Sequence, residues 1–215
     1  ARGLSGTALG IARARVGRGA AWGGLWSELQ EAALTQLPHF SAHELNAIAR
    51  SFTFAHARAP RLYDAIAVRA RRHVDEFSPA ELVSTATAFA GARHAAPELF
   101  GALAGRLVNV LEECDADELG AAAYAFARIS PAGEFPALFD ALAAEATERA
   151  GEMSGRAIAS LVWGFATAER PAAAMLDAVA PHAVAKLRSL APGPLSALAL
   201  GYATAADPTA VEKGV

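Results

Sequence analysis

In 215 residues the sequence has one cysteine, two methionines and only two lysines, Lys186 and Lys213. A lone Cys114 excludes an internal disulfide framework and suits a reducing compartment. It reads as a small buried apolar residue. No apolar run reaches roughly 18 residues without a charge or a breaker, so no transmembrane segment is expected. Signatures of catalysis are missing as well. There is no P-loop and no G-x-S-x-G elbow, and GRGAAWG carries Trp22 where a dinucleotide fingerprint needs glycine. His39 and His43 are four apart but flank a helix start at Ser41, so they do not share a helix face. His56, His73, His94 and His182 lie in different segments. The chain is therefore read as a non-enzyme with no catalytic residue, metal site, cofactor or small-molecule substrate.

Hydrophobic residues make up 53% of the chain and charged residues 19%, a balance that builds a core rather than a disordered segment. Charge is unevenly spread. Residues 1–76 hold ten Arg against six acids, a net +4, while residues 77–215 hold nine Lys or Arg against sixteen acids, a net −7. A wholly basic nucleic-acid binder would not look like this. A basic amino-terminal part can meet phosphate or an acidic protein. The first 27 residues hold four arginines and no acid, a composition similar to an organellar transit peptide. The start at Ala1 without methionine is read as a processed or truncated product. The bias to arginine and alanine is read as genome composition and given no function.

The dominant feature is repetition. FSAHELNAIARSFTFAHARAPRLY, residues 40–63, and FSPAELVSTATAFAGARHAAPELF, residues 77–100, agree at ten of 24 positions without a gap. Phe40, Phe77, Cys114, Met153 and Leu190 open five copies spaced by 37, 37, 39 and 37 residues. Twelve residues into each copy stands an aromatic: Phe52, Phe89, Phe126, Phe165 and Tyr202. Five residues in stand Leu45, Leu82, Leu119, Ile158 and Leu195. An alanine-rich chain matches alanines easily, but not five aromatics in register.

Each copy reads as two helices. Apolar residues at offsets 5, 8, 9 and 12 share one helical face. Ser41 with Glu44 and Ser78 with Glu81 predict capping boxes, in which the hydroxyl accepts a backbone N–H and the carboxylate reaches back. Asp115 with Glu118 is a related form, and Ser154 keeps the cap without the acid. First helices are expected to end near Ala57, His94, Ser130, Ala168 and Ala205. Pro60, Pro97, Pro136 and Pro171 then fall at or just before the second helices, where a missing N–H is harmless. The extra residues of the third copy are placed in its turn, around SPAGEF.

A helical pair of this size cannot bury its apolar face alone, whereas stacked pairs share a continuous core. The expected fold is all-α: a right-handed-type α-solenoid of stacked helical hairpins, about 37 residues per repeat. Residues 1–208 are read as a single solenoid. Full repeats span 40–76, 77–113, 114–152 and 153–189, and a partial one spans 190–207. A degenerate repeat covers 4–37, on the match of Ile11 and Leu25 to Ile48 and Leu62, and residues 209–215 form a tail.

The unit [FM]S-x-x-E-L-x-x-x-x-x-A-F-A, a turn, then P-x-L-F-x-A-L resembles the octotricopeptide repeat and its 37-residue relative, the heptatricopeptide repeat. IASLVWGFATAERPAAAMLDAVAPHAV is the copy nearest to that pattern. The resemblance covers residues 40–205 well and 4–37 weakly. It implies a helical-pair solenoid in a mitochondrion or chloroplast, on the matrix or stroma side. Such a protein binds single-stranded or ribosomal RNA for maturation, stability, translation or ribosome assembly. It also allows a non-catalytic scaffold subunit of a ribosome, respiratory or photosynthetic complex. Many members carry a carboxy-terminal RAP domain, of which this sequence has no trace.

Helical repeats read single-stranded RNA with a few side chains of one helix per repeat. The candidates lie opposite the apolar face of the first helices: His43, Arg50, Ser84, Thr87, Tyr124, Arg128, Arg156, Ser160 and Trp163. Arginine holds phosphate or stacks on a base, and Tyr124 and Trp163 offer further platforms. The competing reading packs these rings between adjacent repeats and leaves the arginines on a solvated face. Asp117 opposes the cations. Arg69, Arg71 and Arg72 form the densest basic cluster, at the end of a second helix. There they complement the helix dipole or touch RNA or an acidic protein. Expected partners are organellar RNA, protein subunits of a large organellar assembly, or both.

Overall fold

The computed structural model describes residues 2–13, 22–130, 133–170 and 172–206. Pro131 of SPAGEF, Pro171, the solenoid end at 207–208 and the tail 209–215 lie outside the described residues. The described chain is all-α. Its helices are α1 (Arg2–Arg13), α2 (Gly23–Gln36), α3 (Ala42–Ala55), α4 (Pro60–Arg72), α5 (Pro79–Ala92), α6 (Pro97–Leu107), α7 (Ala116–Ile129), α8 (Pro136–Glu148), α9 (Gly155–Thr167), α10 (Ala173–Lys186) and α11 (Pro192–Ala206). They form two compact units, residues 1–106 and 107–215.

In the first unit α1 packs on α3 and α3 on α5, while α2 packs on α4 behind them. In the second unit α7 packs on α9 and α9 on α11, with α8 on α10 behind. Each unit is thus a stack of helical hairpins in two layers, the α-solenoid arrangement.

The helix starts follow the sequence signals. Ser41, Ser78 and Asp115 each accept a bond from the backbone N–H three residues on, and Glu44, Glu81 and Glu118 return the bond to the cap. Ser154 caps α9 through the Ala157 N–H alone. Pro60, Pro97 and Pro136 begin α4, α6 and α8. A feature the sequence did not announce precedes most caps. Short 3-10 turns at 37–39, 74–76, 111–113 and 187–189 hold the N–H of Phe40, Phe77, Cys114 and Leu190, the residues that open the copies.

The aromatic register is the core. Phe52, Phe89 and Phe126 are wholly buried and Phe165 nearly so. An aromatic of one copy's second helix meets the first-helix aromatic of the next copy edge-on. Trp26 meets Phe52 at 4.9 Å, Tyr63 meets Phe89 at 5.1 Å, and Phe139 meets Phe165 at 5.1 Å between ring centroids. Such pairs add roughly 0.5–1.5 kcal/mol beyond the area they bury.

Alanine and glycine have a structural reason in the first-helix layer. A Cβ on Gly120 would lie 2.3 Å from the Ala157 carbonyl oxygen, and one on Gly164 2.7 Å from the Ala123 carbonyl. Backbones approach here as larger residues would forbid. Cys114 is buried, and burial with the Glu118 and Asp115 charges pushes its thiol up to about 12. It stays a neutral packing residue.

Candidate nucleic-acid interface

The sequence-derived candidates of the first helices lie on the accessible side of that layer. In the first unit, Arg50 is half-buried and its guanidinium sits 5.4 Å above the Phe54 ring, itself 38% exposed. His43 is exposed and its Nδ1 stands 2.9 Å from Glu81 Oε1, so the helix cap of α5 receives a side chain from α3. Burial would raise the Glu81 carboxyl, but the Ser78 N–H, His43 and the Ser78 hydroxyl outweigh it and hold it below its ordinary value. Ser84 Oγ donates to Asn46 Oδ1 at 2.9 Å, and Asn46 Nδ2 donates to the Glu81 carbonyl at 3.1 Å. Thr87 Oγ1 donates to the Ser84 carbonyl at 2.9 Å. The four first-helix candidates of this unit thus lie on α3 and α5, each already engaged by a protein partner.

The second unit gathers its candidates more tightly. The rings of Tyr124 on α7 and Trp163 on α9 meet at 5.0 Å with a 40° tilt. Arg128 lies 5.7 Å over the Tyr124 ring, and its Nη1 donates to the Tyr124 hydroxyl at 3.0 Å. The rings do pack between adjacent copies, yet Tyr124, Arg128 and Trp163 are all half-exposed, so the cluster keeps an open side. On α9, Ser160 is half-buried and Arg156 exposed, on the same helical face as Trp163 by spacing. Asp117, the anticipated opposing charge, accepts the Ser154 N–H at 2.7 Å and so helps to cap α9. Its negative charge is complemented by the helix start.

The basic cluster of α4 lies in the other layer and divides. Arg69 is half-buried and donates to the Phe40 carbonyl at 3.3 and 3.4 Å. Arg71 forms a 2.6 Å ion pair with Glu98. Arg72 is exposed and makes no side-chain hydrogen bond or ion pair among the described residues. A similar tie is found in two later copies. Arg149 donates to the Cys114 carbonyl at 2.8 Å, and Lys186 donates to the Met153 carbonyl. A cation late in the second helix thus fastens the opening residue of its own copy. Sequence reasoning missed this role, because the cations stand at different distances, 29, 35 and 33 residues, from Phe40, Cys114 and Met153. It also left Asn46 out of the site. Among the described residues no group of three or more His, Cys, Asp or Glu side chains is placed to hold a metal, and no helix is long and apolar enough to cross a membrane.

The arrangement offers stacking and phosphate contact. In RNA-binding proteins generally, aromatic rings and guanidinium planes of this kind are surfaces for a nucleobase face, a contact of about 1–3 kcal/mol per base. Comparison with curated proteins finds no match. The family model for the RNA-editing substrate-binding complex 6 protein matches residues 24–196, from α2 into α11. That match supports an RNA-associated helical family and does not specify the octotricopeptide or heptatricopeptide repeat. With about four-fifths of its length matched, the chain belongs to the RNA-editing substrate-binding complex 6 protein family.

Proposed function

We propose that the chain is a non-catalytic RNA-binding subunit of an organellar assembly that acts on RNA. The observation that carries this reading is the half-exposed cluster of Tyr124, Arg128 and Trp163 on α7 and α9, in a member of a family named for binding RNA-editing substrates. Bases of a single strand, free or in ribosomal RNA, stack on these rings. Arg156 meets an adjacent phosphate in the second unit, and Arg50 beside Phe54 offers a contact of its own in the first. Maturation, stability, translation and ribosome assembly are the processes such contacts serve, with editing added by the family name. A mitochondrion or chloroplast is the proposed compartment, on its matrix or stroma side. The test is an anisotropy titration of the full chain with single-stranded RNA over a range of salt. Binding at low salt with a falling log–log slope supports the reading, and no binding at low salt removes it.

A second reading has its own support. Arg69, Arg71 and Arg128 are already held by the Phe40 carbonyl, Glu98 and the Tyr124 hydroxyl, and residues 77–215 carry a net −7. A scaffold subunit that works through protein contacts would use the same face without RNA. It predicts that protein subunits co-purify with the chain after nuclease treatment.

A further inference from the structure

The turns that join α3 to α4 and α5 to α6 enclose a cleft of about 300 Å³, away from the face described above. His56, Arg58, Arg93 and His94 line it, over Phe52 and Tyr63. Its floor is neutral. Burial pushes the Tyr63 hydroxyl up to about 12, and that hydroxyl donates to the Ala49 carbonyl at 2.8 Å. Thr53 Oγ1 donates to the Ala88 carbonyl at 2.8 Å. The polar groups of the floor are thus already satisfied by main chain.

The walls are not. His56, Arg58 and Arg93 are exposed, and their side chains make no hydrogen bond or ion pair among the described residues. His94 alone has an acidic partner, with Nε2 2.8 Å from Asp64 Oδ1, and its ring is stacked on Tyr63 at 5.4 Å and 30°. Asp64 does not line the cleft.

His56 and Arg93 end α3 and α5 in the left-handed conformation, with φ of 55° and 54°. Glycine is the residue that adopts this conformation without strain. A cation there complements the negative end of the helix, but the fold does not require one. Glu169 ends the α9 segment with φ of 52° and the opposite charge. Arg58 adds a second guanidinium beyond the helix end. The first unit therefore holds more positive charge at these turns than its helix termini call for, turned to a concave space of suitable size.

The geometry points to this cleft as a binding site for a phosphate group of single-stranded RNA, held by Arg58 and Arg93. Guanidinium forks suit phosphate oxygens and bind them in pairs of hydrogen bonds. The exposed His56 adds a third donor, and the stacked His94 and Tyr63 rings give a flat wall for the attached nucleotide. The phosphate is either internal to the strand or at its 5′ end. The choice of RNA as its carrier rests on the proposed function, whereas the cleft lies outside that face.

The experiment uses the full chain and a labelled single-stranded RNA of about 12 nucleotides, with a 5′-hydroxyl or a 5′-monophosphate. The Arg58→Gln/Arg93→Gln double variant should bind roughly fivefold or more weakly at low salt, with a log–log salt slope shallower by about 0.7, the share of one phosphate. The Arg58→Lys/Arg93→Lys variant should regain the slope. Equal loss for both RNAs assigns an internal phosphate, and loss for the phosphorylated RNA alone assigns the terminal one. Unchanged affinity and slope in the Gln variant overturn the cleft. If Trp163→Leu still weakens binding in that case, the proposed function survives. If the wild-type chain binds neither RNA, both fall. Thermal melting of each variant reports folding independently.

Discussion

Glu81 in the first unit and Glu118 in the second occupy the same place in their copies, each closing a capping box. Their carboxyls move in opposite directions. Burial would raise Glu81, but the Ser78 N–H, His43 and the Ser78 hydroxyl hold it below its ordinary value. Burial raises Glu118, and the charge of Asp115 adds to the rise against the Asp115 N–H. The difference lies in the neighbours: a hydroxyl cap and a histidine in the first unit, a second carboxylate in the other. The turns repeat the contrast. His56 and Arg93 stand where the second unit has Glu169. One hairpin thus appears in two electrostatic versions, because backbone geometry is set by the apolar register and leaves the surface charge free to diverge.

The largest expected effects probe what the units share. Phe89→Ala in the first unit and Phe126→Ala in the second should each cost about 3–5 kcal/mol in urea unfolding, since both rings are wholly buried. A cost below about 1 kcal/mol for either would deny that aromatic its place in the core.

Next come the close approaches. Gly120→Ala places a Cβ 2.3 Å from the Ala157 carbonyl oxygen, whereas Gly91→Ala meets only the Thr53 Cγ2 at 2.6 Å. A backbone atom yields less than a methyl group. The second-unit variant should lose about 1–3 kcal/mol by overpacking. The first-unit variant should lose less, because alanine favours the helix by up to about 1 kcal/mol. Equal losses would contradict the comparison.

A smaller effect separates the two caps by pH. The depressed Glu81 contributes stability that is present above its unfolded pKa and lost as pH falls through its lower folded value. The raised Glu118 has the reverse sign: its contribution is full below the unfolded pKa and is lost as pH rises through the higher folded value. Glu81→Gln should therefore destabilise more than Glu118→Gln at neutral pH, and acid should bring the two together. Thermal melts across the carboxylate range read this directly. The smallest effect is expected for Arg58→Gln/Arg93→Gln, within about 0.5 kcal/mol, since both side chains are exposed and unbonded among the described residues.

Much of this fold was legible because its determinants are local and periodic. Ser41, Ser78, Asp115 and Ser154 announced their helices through short-range cap chemistry, and the spacing from Phe52 to Phe165 announced the core. Arginine at the candidate site was legible only as a type. The sequence cannot say that Arg69 reaches the Phe40 carbonyl while Arg72 stays exposed, because that depends on where two helices of one copy meet. Nor did it give a reason for Gly120 and Gly164. Their cause is the distance between first helices of successive copies, and composition reads the same whatever that distance is. The basic cleft was hidden for a related reason. His56 and Arg93 share an offset within their copies, but Arg58 and His94 do not, and only folding brings the four to one concavity.

The central claim is that RNA lies on the open face of the first helices. Photocrosslinking of 4-thiouridine-substituted single-stranded RNA to the full chain, followed by peptide mapping, tests it most directly. The account predicts adducts on peptides that contain Tyr124 and Trp163. Adducts confined to second-helix peptides such as α8 and α10, or none at low salt, would contradict it.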